Sequence, residues 1–286
     1  MDVLPSDSLA GKYCLVTGGT AGIGFITARE LASRGARVVI VGRNAAKCAA
    51  SVEAIRRTTG SGAVSVLVGD LSLQRDVRRV AQEYRDGFPR LDVLVNNAGG
   101  LYLDRHLSGD GIEMTFALNH LGYFLLTWLL LDLLRASAPA RVVNVSSEAH
   151  RRIHLDFDDL QCARRYSGFR AYARSKLANL YFTYDLAGRV PASEVTVNAL
   201  HPGLVSTSFG KNNGMRALLI WAIARWFAIS PEEGARTPVY LAASPGVAGM
   251  SGKYFIAERP CPSSPVSYDR EAARHLWNRS AEMVGA

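Results

Sequence analysis

The segment 172–176 (YARSK) places a tyrosine and a lysine four residues apart, a spacing that brings both side chains onto one face of a helix. A tyrosine of ordinary pKa, about 10, is a poor proton donor or acceptor at neutral pH. Because a nearby cation stabilises the phenolate, it brings that pKa toward the working range of an enzyme. Tyr172 and Lys176 therefore predict acid/base chemistry, although this spacing also arises by chance in many helices.

Polar residues also follow two of the apolar segments that are typical of strands. Ser146 and Ser147 follow one such segment, and residues 96–99 (NNAG) end another. Asn119 lies in the helical segment between them. Ligands of doubly wound α/β proteins bind at the carboxyl edge of the sheet, where these side chains would lie. Each group is ordinary by itself, and their joint occurrence in this order predicts an active site.

A glycine-rich turn, 17–24 (TGGTAGIG), lies between an apolar strand-like segment and a helical one. Glycines let the backbone turn tightly and approach a pyrophosphate, whose charge then meets the free N–H groups and the positive end of the helix. A single glycine-rich turn is a weak signal, and a purely structural turn is the alternative. The strand before it and the helix after it favour a dinucleotide site.

The end of the second strand-like segment, 41–44 (VGRN), bears on the choice of dinucleotide. A site for NAD usually has an acidic residue here, which bonds the ribose 2′-hydroxyl and repels a 2′-phosphate. Gly42 instead leaves space, and Arg43 can pair with a phosphate through two parallel hydrogen bonds. The sequence therefore predicts a preference for NADP(H), with NAD(H) as the alternative if Arg43 is an ordinary surface charge. Asp70 ends the third such segment, where it either accepts from the adenine amino group or belongs to the N-cap region of the next helix.

These side chains can lie together only if a parallel sheet brings the ends of its strands to one edge, and the hydropathy pattern predicts such a sheet. Unbroken apolar segments alternate with longer helical ones, as in a parallel sheet covered on both faces. The predicted strands are 12–17, 37–42, 63–69, 91–96, 140–146, 194–200 and 253–256. The predicted helices are 23–34, 45–59, 74–87, 111–136, 169–189, 231–243 and 269–282. We therefore predict one α/β domain over 1–286, a doubly wound Rossmann fold with a seven-stranded parallel sheet and helices on both faces.

The segment 206–230 is far longer than the usual connection of about 2–6 residues between a strand and a helix. Loops of this size are usually lids or binding loops, so we predict an inserted substrate lid here. Its Trp221 and Trp226 are predicted to line the substrate pocket. A contribution to the core and a peripheral contact with lipid are the alternatives.

Composition restricts the classes of function. Of the 286 residues, 48% are hydrophobic and 20% are charged, which excludes a disordered chain and suffices for one large α/β domain. The net charge is +8, but the basic residues form no long run, so no nucleic-acid partner is expected. The 4 cysteines have no paired spacing and predict neither a metal site nor disulfides.

Two further observations bear on localisation. Residues 1–10 contain two aspartates and no apolar core, so they are not a signal peptide. The longest apolar segments, 121–134 and 218–229, are shorter than the roughly 20 residues that a membrane-spanning helix needs. We therefore expect a cytoplasmic protein whose contact with a membrane is at most peripheral. The segment 121–134 predicts a helix packed on the sheet or at the interface of a homodimer or homotetramer.

Across essentially its whole length, the sequence resembles the short-chain dehydrogenase/reductase family of the classical type. The residues that carry the resemblance are 17–24 (TGGTAGIG), Asp70, 96–99 (NNAG), Asn119, Ser146-Ser147, 172–176 (YARSK) and Pro202-Gly203. Within that family it is similar to the retinol dehydrogenase branch. The segments that carry this similarity are 156–161 (DFDDLQ), 175–179 (SKLAN), 201–203 (HPG), 231–235 (PEEGA) and 276–278 (LWN).

The resemblance implies a role for each catalytic position. Tyr172 would transfer a proton to or from the substrate oxygen as a hydride moves to or from C4 of the nicotinamide. Lys176 would hold the nicotinamide ribose and lower the phenol pKa. Ser147 would hydrogen-bond the reacting oxygen, and Asn119 would hold a water in a proton relay. The expected substrate contacts are Ser147, Tyr172, Trp221 and Trp226.

The resemblance also implies cofactor contacts along the carboxyl edge of the sheet. They are Gly18, Thr20, Gly22, Ile23, Gly24, Arg43, Asp70, Leu71, Asn97, Ala98, Gly99, Tyr172, Lys176, Pro202, Gly203 and Val205. Two features depart from the retinol dehydrogenase branch. Many of its membrane-bound members begin with an apolar anchor, which 1–10 lack, and Glu148 and His150 follow the serine pair where small or apolar residues are common. A charged pocket mouth disfavours a retinoid.

The 6 histidines are interpreted as structural or solvated, with His201, beside the cleft, as the exception. We predict an NADP(H)-dependent oxidoreductase that interconverts an alcohol and its aldehyde or ketone on a lipophilic substrate, whether retinoid-like, steroid-like or otherwise apolar. The alternatives are a reductase of a conjugated double bond on the same fold and a non-catalytic module that senses NADP(H).

Overall fold

The computed structural model describes residues 8–203 and 229–286. In these residues one sheet of eight strands has the order β3-β2-β1-β4-β5-β6-β7-β8. The strands are β1 (Tyr13–Thr17), β2 (Arg37–Gly42), β3 (Val64–Val68), β4 (Val93–Asn96), β5 (Ala140–Val145), β6 (Val195–His201), β7 (Tyr254–Ile256) and β8 (Arg259–Cys261). The first seven are parallel, and the chain changes direction across the sheet between β1 and β4. The predicted doubly wound Rossmann fold is confirmed.

The eighth strand is a difference from the predicted seven. Strand β8 pairs antiparallel with β7 at the edge of the sheet. The two-residue turn Ala257-Glu258 joins them, and both residues have positive φ, 47° and 65°. Turns of this kind usually contain asparagine or glycine, so these two residue types give no turn signal. Pro260 lies within β8, where an edge strand tolerates it but where it argues against a strand prediction.

Helices cover both faces of the sheet. They are α1 (Gly22–Ser33), α2 (Ala45–Thr59), α3 (Gln74–Gly87), α4 (Met114–Ala136), α5 (Gly168–Arg189), α6 (Pro231–Ala243) and α7 (Arg270–Val284). Helices α1, α2 and α6 pack on one face, and α3, α4, α5 and α7 pack on the other. Alternate residues of each strand supply the two cores, so that Leu15 faces the second group and Val16 the first.

Helix α4 is a core helix. By length and composition alone it is apolar enough to cross a membrane, and it is the one such helix in the part of the chain that the structure describes. However, 67% of its most apolar stretch is buried inside the protein. Leu126 and Leu130 have no exposed surface and lie in the core shared with the sheet and α3. The segment 121–134 therefore packs on the sheet.

A ladder of buried amides and hydroxyls ties the centre of the sheet to α4 and α5. Asn96 of β4 and Asn144 of β5 lie in register. Asn96 Nδ2 donates to Asn144 Oδ1 (2.8 Å) and to Thr127 Oγ1 of α4 (2.9 Å). Asn144 Nδ2 donates to Thr183 Oγ1 of α5 (3.0 Å). Because buried polar groups are costly without partners, these bonds fix both helices relative to the carboxyl ends of β4 and β5.

Helix α7 packs across α4 and α5. The Trp277 ring lies edge-on to Phe124, with centroids 4.9 Å apart, and is stacked near Phe182 at 5.9 Å. The Arg189 guanidinium lies 4.0 Å from the centroid of the Trp277 ring, a cation–π contact. Gln74 Nε2 of α3 donates to a carbonyl in the last turn of α7 (2.9 Å). Helix α7 therefore covers apolar surface on α4 and α5.

Candidate active site

The turn after β1 is clamped by the residues that follow β4. Thr17 Oγ1 accepts from the backbone N–H groups of Asn97 (2.8 Å) and Ala98 (3.0 Å). The Asn97 side chain donates through Nδ2 to the Thr17 carbonyl (2.8 Å). These bonds join the segments 17–24 and 96–99, which are far apart in the sequence, into one wall of the cleft at the carboxyl edge of the sheet.

The glycines of the turn leave room that no other residue would leave. A Cβ at Gly24 would lie 2.3 Å from the Gly18 carbonyl oxygen and 2.4 Å from Asn97 Nδ2. Gly18 and Gly22 have φ of +66° and +53°, the left-handed region that favours glycine. Helix α1 begins at Gly22 with no capping side chain and no acid in its first turn, which also contains Ile23. The N–H groups of this first turn therefore suit the pyrophosphate of a dinucleotide.

The end of β2 forms the far end of the cleft. A Cβ at Gly42 would lie 2.6 Å from Thr20 Cγ2 and 2.8 Å from Cys48 Sγ, so a side chain does not fit there. Arg43, the next residue, is exposed. A cation beside a strand end that has no side chain can bind a 2′-phosphate, and the described residues 41–44 carry no carboxylate to repel it.

Asp70 and Leu71 follow β3. Asp70 Oδ1 accepts from the backbone N–H (3.0 Å) and hydroxyl (2.7 Å) of Ser72, a local turn that precedes α3. The N-cap residue of α3 is Leu73, so Asp70 does not cap the helix itself. The Leu71 side chain is 6% exposed and belongs to the core, which leaves its backbone as the part that can line the cleft.

Tyr102 is a residue of the cleft that sequence reasoning missed. Its ring packs on Gly100, where an added Cβ would lie 2.9 Å from Tyr102 Cε2. Burial raises the pKa of Tyr102, and the positive charge of the nearby Arg43 guanidinium opposes part of that rise. Tyr102 therefore joins the loop after β4 to Arg43 after β2. The paired glycines 99–100 are the only sequence signal for this contact, and they do not identify its partner.

The two serines after β5 have different partners. Ser146 Oγ donates to the Lys176 carbonyl (2.8 Å) and is buried, so it anchors α5 to the sheet. Ser147 Oγ accepts from the backbone N–H of Ala149 (3.2 Å) and lies close enough to the Tyr172 hydroxyl to lower the pKa of that phenol in part. A hydroxyl that already accepts an N–H bond is polarised to donate its own proton. Ser147 is therefore the serine placed for chemistry.

Tyr172 and Lys176 lie on one face of α5, with Lys176 Nζ 5.6 Å from the centroid of the Tyr172 ring. Lys176 is 3% exposed and donates to the Val145 carbonyl (2.9 Å). Burial lowers the pKa of Lys176 to about 7 and raises the pKa of Tyr172 to about 12, although the Ser147 hydrogen bond lowers the latter in part. Desolvation thus outweighs the expected depression of the phenol pKa, and the protein alone favours a neutral phenol.

Asn119 lies in a π-helical turn of α4, Ala117–Leu121. Its Oδ1 accepts from Gly100 N (2.8 Å), and its Nδ2 donates to Gly100 O (3.0 Å) and to Ser175 Oγ (3.0 Å). A Cβ at Gly99 would lie 3.2 Å from Asn119 Oδ1 and 3.7 Å from Lys176 Nζ. The side chain of Asn119 thus holds the loop after β4 against α5, and its role in holding a water stays a prediction.

Pro202 and Gly203 follow β6 at the same edge, and Gly203 has φ of +93°. A Cβ at Gly203 would lie 2.5 Å from Ile229 Cδ1. The cofactor contact expected at Val205 and the pocket residues Trp221 and Trp226 lie outside the described residues. The same holds for the lid expected at 206–230, apart from its last two positions.

Comparisons with known proteins agree with this arrangement. A family model described as short chain dehydrogenase matches residues 12–216. Retinol dehydrogenase 13 from Homo sapiens is 41% identical over 97% of this chain and 86% of its own length. Polyprenol dehydrogenase from Homo sapiens is 40% identical over 96% of this chain and 85% of its own length. A solved structure described as a Pseudomonas aeruginosa RhlG/NADP active-site complex is 31% identical, with a TM-score of 0.71, and covers 94% of this chain and 100% of that chain.

The match to the family model extends over most of the domain, and the curated relatives align along nearly the whole chain. The motif residues of the sequence lie together at the carboxyl edge of one Rossmann sheet. The chain therefore belongs to the short-chain dehydrogenase/reductase family, in its retinol dehydrogenase-like branch, and is an oxidoreductase that acts on CH–OH groups.

Proposed function

We propose that this chain interconverts a lipophilic alcohol and its aldehyde or ketone with NADP(H) as the preferred cofactor, using Tyr172 as the acid/base. The observation that carries the proposal is the contact between Ser147 and Tyr172, with the Lys176 ammonium beside the phenol ring. A bound NADP(H) would supply the hydride that reduces the carbonyl, or accept it when the alcohol is oxidised. The burial of α4 inside the protein fits a membrane contact that is peripheral and not through this helix.

In the direction of reduction, the Tyr172 hydroxyl donates its proton to the carbonyl oxygen. The Ser147 hydroxyl donates a hydrogen bond to the same oxygen, because its own lone pair accepts from Ala149 N. Lys176 uses one N–H for the Val145 carbonyl, and its other N–H groups, near Gly99, would hold the nicotinamide ribose. The residues of the chain thus stabilise the charge that develops on oxygen.

The direction of the Tyr172 pKa gives a pH prediction. Burial raises the pKa of Tyr172 to about 12, so the phenolate that alcohol oxidation needs is scarce at neutral pH. We expect the turnover number for oxidation to rise about tenfold per pH unit between about pH 6 and 8. The phenol stays protonated over this range, so any fall in the turnover number for reduction with a midpoint near 7 would report the Lys176 ammonium, whose pKa is about 7, and not Tyr172. Initial rates in both directions on one alcohol–carbonyl pair measure this, and an oxidation rate that does not rise with pH would assign the proton transfer to another group.

The cofactor preference is supported by the cleft beyond the pyrophosphate turn. Gly42 admits no side chain, Arg43 offers a cation, and Tyr102 lies close enough to interact with that cation. The solved relative described as a complex with NADP also supports this choice. NAD(H) is the alternative cofactor, and it would leave Arg43 without a phosphate to bind.

Substitution of Arg43 by aspartate tests the cofactor preference. The change removes the cation and introduces a carboxylate that repels a 2′-phosphate, so we expect the ratio of kcat/KM for NADPH over NADH to fall by at least about tenfold. Arg57→Asp is the matched control, because Arg57 is an exposed arginine near the far end of α2 from Arg43 and should leave the ratio unchanged. An unchanged ratio in Arg43→Asp would remove the argument for NADP(H).

The lipophilic substrate is supported by the names of the relatives, since retinol and polyprenol are both long apolar alcohols. In the structure, Phe169 is 55% exposed in the first turn of α5, about one turn before Tyr172. A panel of long-chain and short polar aldehydes and ketones with NADPH measures this preference. Reduction of an enone at its carbon–carbon double bond instead of its carbonyl would favour the double-bond reductase.

A further inference from the structure

Ser147 is followed by a single turn of 3₁₀ helix, Glu148–His150, and Ser147 itself is the N-cap of that turn. The catalytic hydroxyl therefore moves with the turn. We propose that His150 is a positioning residue that fixes Ser147 by bridging its carbonyl to Ser264. This inference rests on the proposed function, since it concerns the same active site.

The geometry determines which nitrogen of His150 carries the proton. The side chain is completely buried. The backbone N–H of Ser264 points at Nε2 from 3.0 Å, so Nε2 must present its lone pair. In a neutral imidazole the proton is then on Nδ1, which donates to the Ser147 carbonyl at 2.6 Å. Both ring nitrogens are thus satisfied, and only in this one neutral tautomer.

The other residues of the turn are held by the same part of the chain. Tyr254 of β7 donates through its hydroxyl to Glu148 Oε1 (2.9 Å), and its ring lies edge-on to His150 at 5.1 Å. Arg151 Nε donates to Glu148 Oε2 (2.7 Å), and its Nη2 donates to the Pro262 carbonyl (2.9 Å). The hairpin β7–β8 and the segment after it therefore hold the turn that carries Ser147 in place.

These contacts matter because the Ser147 hydroxyl must face both Tyr172 and the substrate oxygen at the same time. A displacement of about 1 Å in a positioned group can cost about 10²-fold in rate. The His150 bond acts on the carbonyl of Ser147, and the Ala149 N–H bond acts on its hydroxyl. If His150 were only a packing residue, its loss would change stability without a specific effect on turnover.

Protonation of His150 would place an N–H on Nε2 against the Ser264 N–H and remove that bond. The charged or titratable groups around it are Glu148, Arg151, His201 and Tyr254, and His201 accepts from the Glu148 N–H at 3.4 Å. Burial lowers the pKa of His150, so the neutral ring persists at physiological pH. Acid would therefore release the turn.

Two substitutions each remove one of the two hydrogen bonds of His150. His150→Asn keeps an amide N–H near the position of Nδ1 and loses the hydrogen bond with Ser264, whereas His150→Gln reaches the position of Nε2 and loses the hydrogen bond with Ser147. We expect kcat for carbonyl reduction to fall about tenfold in His150→Gln and less than about threefold in His150→Asn, with the KM for NADPH unchanged in both. His154→Asn, at an exposed histidine, is the control and should match the wild type.

Equal effects of the two substitutions on kcat, or a loss of kcat that only follows a loss of folded protein, would overturn the proposal. A second measurement needs no activity and covers the case in which a variant fails to fold. The imidazole ¹⁵N shifts of the wild-type protein, assigned by comparison with His150→Asn, should show a neutral ring with its proton on Nδ1. A proton on Nε2 or a charged ring at pH 7.5 would overturn the proposal. If the wild type reduces no carbonyl, the proposed function fails, and the ¹⁵N result still decides the role of His150.

Discussion

Replacement of Tyr172 by phenylalanine should lower the turnover number for carbonyl reduction by about 10²- to 10⁴-fold, the range that a positioned general acid contributes. The phenol is the group that interacts with Ser147 and lies beside Lys176, and phenylalanine fills nearly the same volume without a proton to donate. The glycine turn and the end of β2 are untouched. The dissociation constant for NADPH should therefore change by less than about threefold, because the loss is confined to proton transfer.

The control for this variant is Tyr240→Phe. Tyr240 lies on α6 and packs with the core on the opposite face of the sheet, so its loss removes a phenol of the same kind from a remote place. Turnover at saturating NADPH and fluorescence titration of NADPH are measured for both variants and the wild type. If Tyr172→Phe kept full turnover, the acid would have to be another group and the proposed mechanism would be wrong.

The second large effect concerns acid stability and depends on His120 in α4. Its ring is 1% exposed, and its Nε2 is 2.8 Å from Ser280 Oγ of α7. Burial lowers the pKa of His120 from 6.5 to about 4. The folded state takes up this proton at a lower pH than the unfolded state does. The stability that depends on a neutral His120 is therefore complete above about pH 6.5 and is lost as the pH falls toward 4. At about 1.4 kcal/mol for each pH unit between the two pKa values, the loss approaches about 3 kcal/mol.

This effect is measured as the free energy of unfolding in urea at pH 7.5 and pH 4.5. His120→Gln does not titrate and can still bond Ser280, so it should lose about 2 to 3 kcal/mol less than the wild type on acidification. His154→Gln, at an exposed position, should behave as the wild type. Burial also lowers the pKa of His150 and His201, so part of the acid loss is common to all three proteins. Equal losses in the wild type and His120→Gln would contradict the prediction.

The elements of the fold were largely predictable because each has a local signal. Neighbouring residues in the sequence determine the unbroken apolar segments of the parallel strands. They also determine the caps of α2, with Asn44 before the helix and Gly60 after it. Strand β8 has no such signal, since its turn Ala257-Glu258 adopts positive φ without glycine or asparagine. It forms because β7 offers an edge, which is a property of the assembled sheet.

The candidate site likewise has features that local sequence predicts and features that depend on the assembled fold. The glycines of 17–24 and the spacing of Tyr172 and Lys176 are local patterns, and the structure brings them to one cleft. The direction of the phenol pKa was not predictable, because desolvation depends on how deeply α5 is buried. The same holds for His150, which sequence reasoning treated as structural or solvated. Its partner Ser264 is 114 residues away, and no local pattern connects the two.

The aromatic contact of α7 with α4 and α5 has a consequence for biosynthesis. On the ribosome, Phe124 and Phe182 are made long before Trp277, their partner in the fold. Until Arg270–Val284 has left the exit tunnel, the surface of α4 and α5 that it covers is exposed to other nascent chains. Helix α7 is therefore the element that covers this aggregation-prone surface, and a product that stalls or is truncated before it would bind chaperones through apolar surface that is still exposed.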